Sequence, residues 1–417
     1  MEVLGYTMRR QRPAYGWIGY IICLLGFGDI VISQGSVSWD PVKTTCNFFH
    51  ARGVVVGNKM YVDGGEVIDQ QNYYLGIDKP YYNSGMTRWQ SRSPFQLVPH
   101  IPQSIVTLLN QIPIFTDEHL WELDLSSKFN VSTPPWVAHL KPPDWNQHYN
   151  GVSGTIWNIG DGKFYTLGGI MSPSYTGPPP GYPIREPYFT HNISGYYFQL
   201  PAPRVFAYDP RTGNWSSWLH NDIHRLSDTA YTQSLRNKAG YTVGGLQVTE
   251  KDFSPTEFTP QGFGLWISTM SKYDFRTMKF TITEMPDDVG ATSRVEMHCL
   301  ERVGKEGVLV AFAGKSQDIR NEEWRLMDKI LVYDIDTSTW MTQKATGDIP
   351  PVRRNGCSVL VPAPDLSSYQ IYVFSGTTTG DVNILDMYVL SIPMFSWKKV
   401  DLKGYPNQYG ITEVACE

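Results

Sequence analysis

An apolar strand ending in two glycines recurs along this chain, and no other feature limits its possible folds as sharply. Three copies are complete: residues 60–65 read Met-Tyr-Val-Asp-Gly-Gly, residues 164–169 Phe-Tyr-Thr-Leu-Gly-Gly, and residues 240–245 Gly-Tyr-Thr-Val-Gly-Gly. The pairs are Gly64 and Gly65, Gly168 and Gly169, and Gly244 and Gly245. Two later copies, at 309–314 and 371–376, soften the pair to Ala313-Gly314 and Ser375-Gly376.

A second half-unit follows at a variable distance. It sets Tyr-Asp seven residues ahead of a large ring, as in Tyr208 to Trp215, Tyr273 to Phe280 and Tyr333 to Trp340. A looser copy runs from Leu390 to Trp397, whereas the first, at 123–128, keeps the acidic turn at Asp124 and lacks the ring. Apolar alternation up to an Asp or Pro turn, with the ring opening the next strand, describes a hairpin.

Each unit thus supplies about four short strands, and one such sheet alone cannot bury both apolar faces. Sheets stacked radially around an axis cover one another and leave only short edges, which is the β-propeller. The glycines allow positive φ where a side chain would collide. Tyr and Trp rings fill the wedge that widens outward between blades. An aromatic share of 13%, with 37 Gly and 29 Pro, suits many short strands separated by turns and excludes long helices as the main element.

This pattern resembles the kelch repeat, whose hallmark is a double glycine followed at a variable distance by spaced Tyr and Trp; the resemblance covers 46–397. The segments at 61–65 and 333–356, with Thr342-Gln343-Lys344-Ala345-Thr346-Gly347 and Arg353-Arg354-Asn355-Gly356-Cys357, are similar to kelch-repeat ectodomain proteins of filamentous fungi. The resemblance implies an all-β, kelch-type propeller over 36–417, with five recognisable repeats and the start of a sixth at 409–416. That count leaves three ways to finish the ring: five blades with terminal strands completing one, six with one defective, or an unclosed ring in a truncated product.

Residues 1–35 read as a targeting segment, with Arg9, Arg10 and Arg12 ahead of an apolar stretch from Trp17 to Ile32. The stretch is short for a spanning helix and carries Asp29, so a cleaved signal peptide is expected, with an uncleaved anchor as the alternative. Acceptor triplets for N-glycosylation at Asn130, Asn192 and Asn214 fit an exported chain, and secretion or cell-surface display follows as the expectation. Of five cysteines, Cys23 lies in the leader; Cys46, Cys299, Cys357 and Cys416 are spaced neither for zinc nor as a dense disulfide scaffold, which leaves room for one or two disulfides without assigning partners. A net charge of -5, with no dense basic run beyond the N-terminus, excludes nucleic acid as a partner. Membrane contact is expected only through an uncleaved anchor or a missing C-terminal segment.

The stretches after the glycines read as connections at 66–117, 170–203 and 246–269, with shorter ones at 315–327 and 377–385, all leaving one face. They are rich in rings: Tyr73, Tyr74 and Trp89 in the first, Tyr182, Tyr188 and Tyr196 in the second, Trp266 in the third. Such rings suit recognition of a protein or cell-wall glycan, and they also suit packing within long connections. No catalytic, metal or cofactor site is expected. Galactose-oxidase-like copper enzymes share the propeller, but no two of the nine histidines are adjacent, and His220 and His224 read as a solvated blade connection. Glu322, Glu323 and Asp328 lack the following His of nitrile-specifier proteins, and Gly151-Val152-Ser153-Gly154 falls short of a nucleophile elbow, reading instead as the opening of an inner strand. The expected function is non-catalytic binding, with a degenerate oxidase or hydrolase as the alternative.

Overall fold

A computed structural model of the chain describes residues 45–49, 51–64, 66–69, 114–116, 119–130, 134–141, 151–152, 154–171, 204–220, 223, 225–248, 265–286, 291–293, 295–318 and 321–402. Five antiparallel blades follow one another, and within each the strands are neighbours in chain order. Blade 1 comprises Arg52–Val56, Lys59–Asp63, His119–Asp124 and Val137–Leu140. Blade 2 comprises Thr155–Trp157, Phe164–Leu167, Arg204–Asp209 and Asn214–Leu219. Blade 3 comprises Ala230–Ser234, Ala239–Val243, Thr269–Asp274 and Lys279–Glu284. Blade 4 comprises Glu296–Leu300, Val308–Phe312, Lys329–Asp334 and Thr339–Lys344. Blade 5 comprises Cys357–Pro362, Tyr369–Phe374, Met387–Ile392 and Ser396–Val400. It gains a fifth strand, Thr346–Gly347, parallel to Ser396–Val400, so the connection leaving blade 4 covers its outer edge.

The seven-residue spacing is a register. It sets Tyr208 opposite Trp215, Tyr273 opposite Phe280, Tyr333 opposite Trp340 and Leu390 opposite Trp397. In the turns between, a carboxylate accepts backbone N–H bonds: Asp209 from Arg211, Asp274 from Arg276 and Thr277, and Asp334 from Asp336 and Thr337. In blade 1 the longer connection moves the ring to Trp136, just before the fourth strand and packed on that blade's own core.

First strands touch in succession from blade 1 to blade 5, so the five blades stand in a ring with these strands innermost. In blades 2, 3 and 4 the second strand has a partner on each side and a blade against each face; Phe164–Leu167 and Val308–Phe312 are accordingly buried throughout. Four apolar clusters fill the seams. Tyr61 meets Phe164 and Tyr208 between blades 1 and 2, and Trp157 meets Tyr273 between 2 and 3. Tyr241 joins Tyr333 between 3 and 4, and Phe312 meets Trp397 between 4 and 5. Trp397 is fully buried and donates its indole N–H to the Met327 carbonyl at 2.8 Å. Trp215 and Trp340 are partly buried against the 1–2 and 3–4 clusters. A fifth cluster, around Trp121 and Leu123, contains blade 1 residues alone among those described.

The stretches after the glycines depart from expectation, because each opens as a strand rather than as a loop. Glu66–Asp69 pairs with Thr45–Phe49 and Ile114–Thr116, and Ile170–Met171 with Gly151–Val152. Leu246–Val248 pairs with Arg225–Ser227 and Leu265–Trp266, and Lys315–Asp318 with Ala291–Ser293 and Asn321–Trp324. Thr377–Thr378 pairs with Val382–Asn383 and bridges to Arg354. In each blade the chain leaving the glycines runs beside the chain entering the innermost strand, which satisfies backbone groups that a bare loop would leave to water. A second tier of small sheets therefore sits on one mouth of the ring. Residues 1–35, read from sequence as a targeting segment, lie outside the described residues, as do residues 409–416, read as the start of a sixth unit.

Candidate functional site

Every long insertion is rooted at a glycine pair, so the site is built from these glycines. Gly169, Gly245 and Gly314, at φ of 85°, 96° and 76°, each donate a backbone N–H to the next blade. The acceptors are the carbonyls of Leu226, Thr292 and Arg353, at 2.7, 2.7 and 2.8 Å. The preceding glycines, Gly168 and Gly244, also have positive φ, and a Cβ there would overlap Leu226 and Thr292. Ala313 and Ser375 hold the same left-handed conformation in blades 4 and 5, and Gly64 does so in blade 1. Gly376, at φ of 105°, lies so close to Arg354 that a Cβ would meet its carbonyl at 2.8 Å. Gly65 lies outside the described residues.

Beneath the glycines is a layer formed by the first residue of each innermost strand. Arg52, Thr155, Ala230, Glu296 and Cys357 face the residues just before the glycine positions: Asp63, Leu167, Val243, Phe312 and Phe374. In blade 1 this layer is ionic. Asp63, 0% exposed, lies 2.7 Å from Arg52 and 2.6 Å from Lys141. Burial pushes its carboxyl up, but the two cations outweigh burial and hold it below the usual carboxylate range. Arg52 also reaches into blade 2, donating to the carbonyls of Thr155 and Leu167 at 3.4 Å each. Thr155 and Thr229 share a hydroxyl bond of 3.0 Å across the next seam.

Between blades 4 and 5 the layer holds a Glu–Ser–His chain. Ser358 donates to Glu296 at 2.6 Å, and His298 Nε2 lies 2.8 Å from the Ser358 hydroxyl. Glu296 and His298 are partly buried as residues. Burial pushes the Glu296 carboxyl up to about 7 against the pull of the Ser358 bond and the Arg353 charge, and burial lowers the His298 ring to about 4. Arg353 is held by Asp386 through bonds of 2.6 and 3.0 Å and donates to the Ser375 carbonyl. The Ser358 hydroxyl thus bridges a carboxyl and an imidazole of the neighbouring blade.

Of the mouth aromatics named from sequence, Trp266 is partly buried opposite Leu246 in the second tier. Tyr73, Tyr74, Trp89, Tyr182, Tyr188 and Tyr196 lie outside the described residues, as does Asn192. Trp324, in the tier on blade 4, lies under the Lys315 ammonium at 4.7 Å and the Arg354 guanidinium at 5.9 Å. Asn130 and Asn214 are exposed, each beyond the third strand of its blade and so at the end away from the glycines. His220 corrects the solvated reading: it is buried, with its ring edge-on to Tyr273 and Phe280 of blade 3. His224 lies outside the described residues, among which no three His, Cys, Asp or Glu side chains are grouped to hold a metal ion. Cys357 is disulfide-bonded, whereas Cys299 is a free, buried thiol that burial pushes well up.

Sequence reasoning passed over Arg52, Asp63, Lys141, Glu296, His298, Ser358, Arg353 and Asp386. Two signals were present. Asp63 stands where the other copies have an apolar residue before the glycines, and Glu296 and His298 alternate with Met297 and Cys299 at the head of an innermost strand.

No family model matches the chain. A kelch repeat-containing protein of Arthroderma benhamiae is 34% identical over 296 residues, which are 69% of this chain; the chain spans 35% of that relative's own length. Among solved structures, that of YjhT aligns with 86% of this chain and 85% of its own at a TM-score of 0.50 and 12% identity, a likeness that speaks to the fold alone. Five blades, glycines that bond blades 2, 3 and 4 each to its successor, and a kelch-repeat relative over most of the chain lead to one assignment: this is a kelch-repeat β-propeller protein.

Proposed function

We propose that the chain is a non-catalytic propeller working outside the cell, binding a protein or a cell-wall glycan through the insertions at its mouth. The shared root of those insertions carries the reading: Glu66–Asp69 and Ile114–Thr116, Ile170–Met171, and Leu246–Val248 and Leu265–Trp266 are all strands of the second tier, on one side of the ring. Ring-rich segments gathered on one rim suit recognition, because Tyr and Trp give rigid contact area with a polar handle. Glycans on Asn130 and Asn214 would stand on the opposite face and leave the mouth uncovered.

One observation favours a hydrolase instead, namely the Ser358 hydroxyl 2.8 Å from an imidazole. Against it, Ser358 is 8% exposed and directs its proton to Glu296 rather than to His298. A nucleophile needs the reverse, its proton on the base and its oxygen open to substrate.

The test is to secrete the tagged chain from a eukaryotic host and incubate it with insoluble cell-wall polysaccharide and with immobilised surface proteins. Retention on one of the two, without sugar release or oxidation, is expected. Retention on neither, or turnover of the polysaccharide, contradicts the proposal.

A further inference from the structure

Three seams share one tie. Gly169, Gly245 and Gly314 each donate to a carbonyl of the chain entering the next blade, at Leu226, Thr292 and Arg353. Each acceptor stands four positions ahead of the first residue of that blade's innermost strand, Ala230, Glu296 and Cys357. For the step from blade 5 to blade 1, the same offset brings Gly376 to Phe48, four positions ahead of Arg52. Phe48 belongs to Thr45–Phe49, the strand entering blade 1 in the second tier, and Cys46 precedes it by two positions. Elsewhere a strand of one tier touches the entering strand of the next, as Ile170–Met171 touches Arg225–Ser227 and Leu265–Trp266 touches Ala291–Ser293. Thr45–Phe49 holds the matching place toward blade 5.

Cys357 comes to the same place from the other side. Side chains alternate along a strand, and its neighbour Ser358 bonds to Glu296 and His298 of blade 4. Cys357 therefore faces away from blade 4, on the face shared with Val359 and with Phe374 opposite it, which are buried outside the 4–5 cluster. Gly356, the residue before it, lies against Gly376. Cys357 is disulfide-bonded, whereas Cys299, in the 3–4 cluster, is free, which leaves Cys23, Cys46 or Cys416 as the partner.

We propose that Cys357 is bonded to Cys46, and that this disulfide is a covalent latch closing the ring at the mouth between blades 5 and 1. A disulfide needs backbones that approach within about 7 Å, and each cysteine stands within two positions of the point where Gly376 and Phe48 come together. The other seams join blades consecutive in the chain, but this one joins residues 46 and 357, so a bond here removes far more freedom from the unfolded chain. Forming it takes two electrons and two protons from the thiols. A disulfide-bearing exchange partner of the secretory pathway accepts them and is itself reduced to a dithiol.

The pairing is tested on the full secreted chain by alkylating free thiols, digesting with trypsin without reduction, and weighing the linked fragments. Residues 44–52 joined to 355–398 is the expected product. Residues 355–398 joined to 404–417, or to a fragment containing Cys23, overturns the pairing. Hydrogen exchange before and after dithiothreitol then tests the latch. Peptides covering Thr45–Phe49 and Cys357–Pro362 should lose about tenfold in protection on reduction, while Ala230–Ser234 stays level. Cys46→Ser should show the same local loss without reductant, and the reduction of the intact chain keeps the test open if that variant fails to fold. Exchange unchanged by reduction, or lost equally in every blade, overturns the latch.

Discussion

Gly245 and Gly213 share a left-handed backbone, at φ of 96° and 70°, in opposite surroundings. A Cβ on Gly245 would meet Thr229 at 2.5 Å and the Ser227 carbonyl at 2.6 Å, whereas nothing lies within 4 Å of one on Gly213. Gly213→Ala should therefore cost only the left-handed penalty, about 1–2 kcal/mol, while Gly245→Ala adds overpacking and strain on a bond between blades, about 3 kcal/mol or more. Urea unfolding midpoints separate the two, and equal losses would mean that the glycine does not work by its closeness to the chain entering its own blade. Asp63→Asn removes the carboxylate shared by two buried cations and should cost about 3–5 kcal/mol in the same assay. The glycines were legible because only one residue type is permissive there. Asp63 was not, since its partners lie 11 and 78 positions away, at Arg52 and Lys141.

Ring positions belong to the scale of the strand. Seven residues from Tyr to Trp place the two opposite each other across a four-residue turn, so the spacing showed both the hairpin and its register. The copies differ in depth. Trp397 is 1% exposed with its N–H bonded to Met327, while Trp340 lies at the rim of its cluster. Trp397→Phe should cost about 2–3 kcal/mol and Trp340→Phe about 1 kcal/mol, read from thermal midpoints; equal shifts would contradict a wedge that fills differently from seam to seam. The second tier escaped the sequence because its strands are two to five residues long and pair with segments upstream of the blade, as Leu246–Val248 does with Arg225–Ser227. His220 escaped for a related reason: the rings that cover it, Tyr273 and Phe280, lie in the following blade.

For the whole molecule, propeller geometry fixes which ends of the strands come together, and the alternation of glycine pair and ring pair was sufficient to read it. Seam chemistry was less legible, because side chains of neighbouring blades meet only once the ring is built, as Glu296 and Ser358 do across 62 residues. The same geometry divides the molecule into a mouth that carries the insertions and a far face that carries the Asp209, Asp274 and Asp334 turns. A binder that works through its mouth should tolerate changes on the far face. The decisive measurement is retention of two variants on whichever cell-wall polysaccharide or surface protein holds the intact chain: one with 172–203 replaced by a short Gly-Ser link, the other with Arg211, Arg276 and Asp336 changed to Ala. Loss of retention by about tenfold or more in the first, with the second unchanged and both folded, is the expected result. Loss in the second with the first unchanged would move recognition to the far face and contradict it.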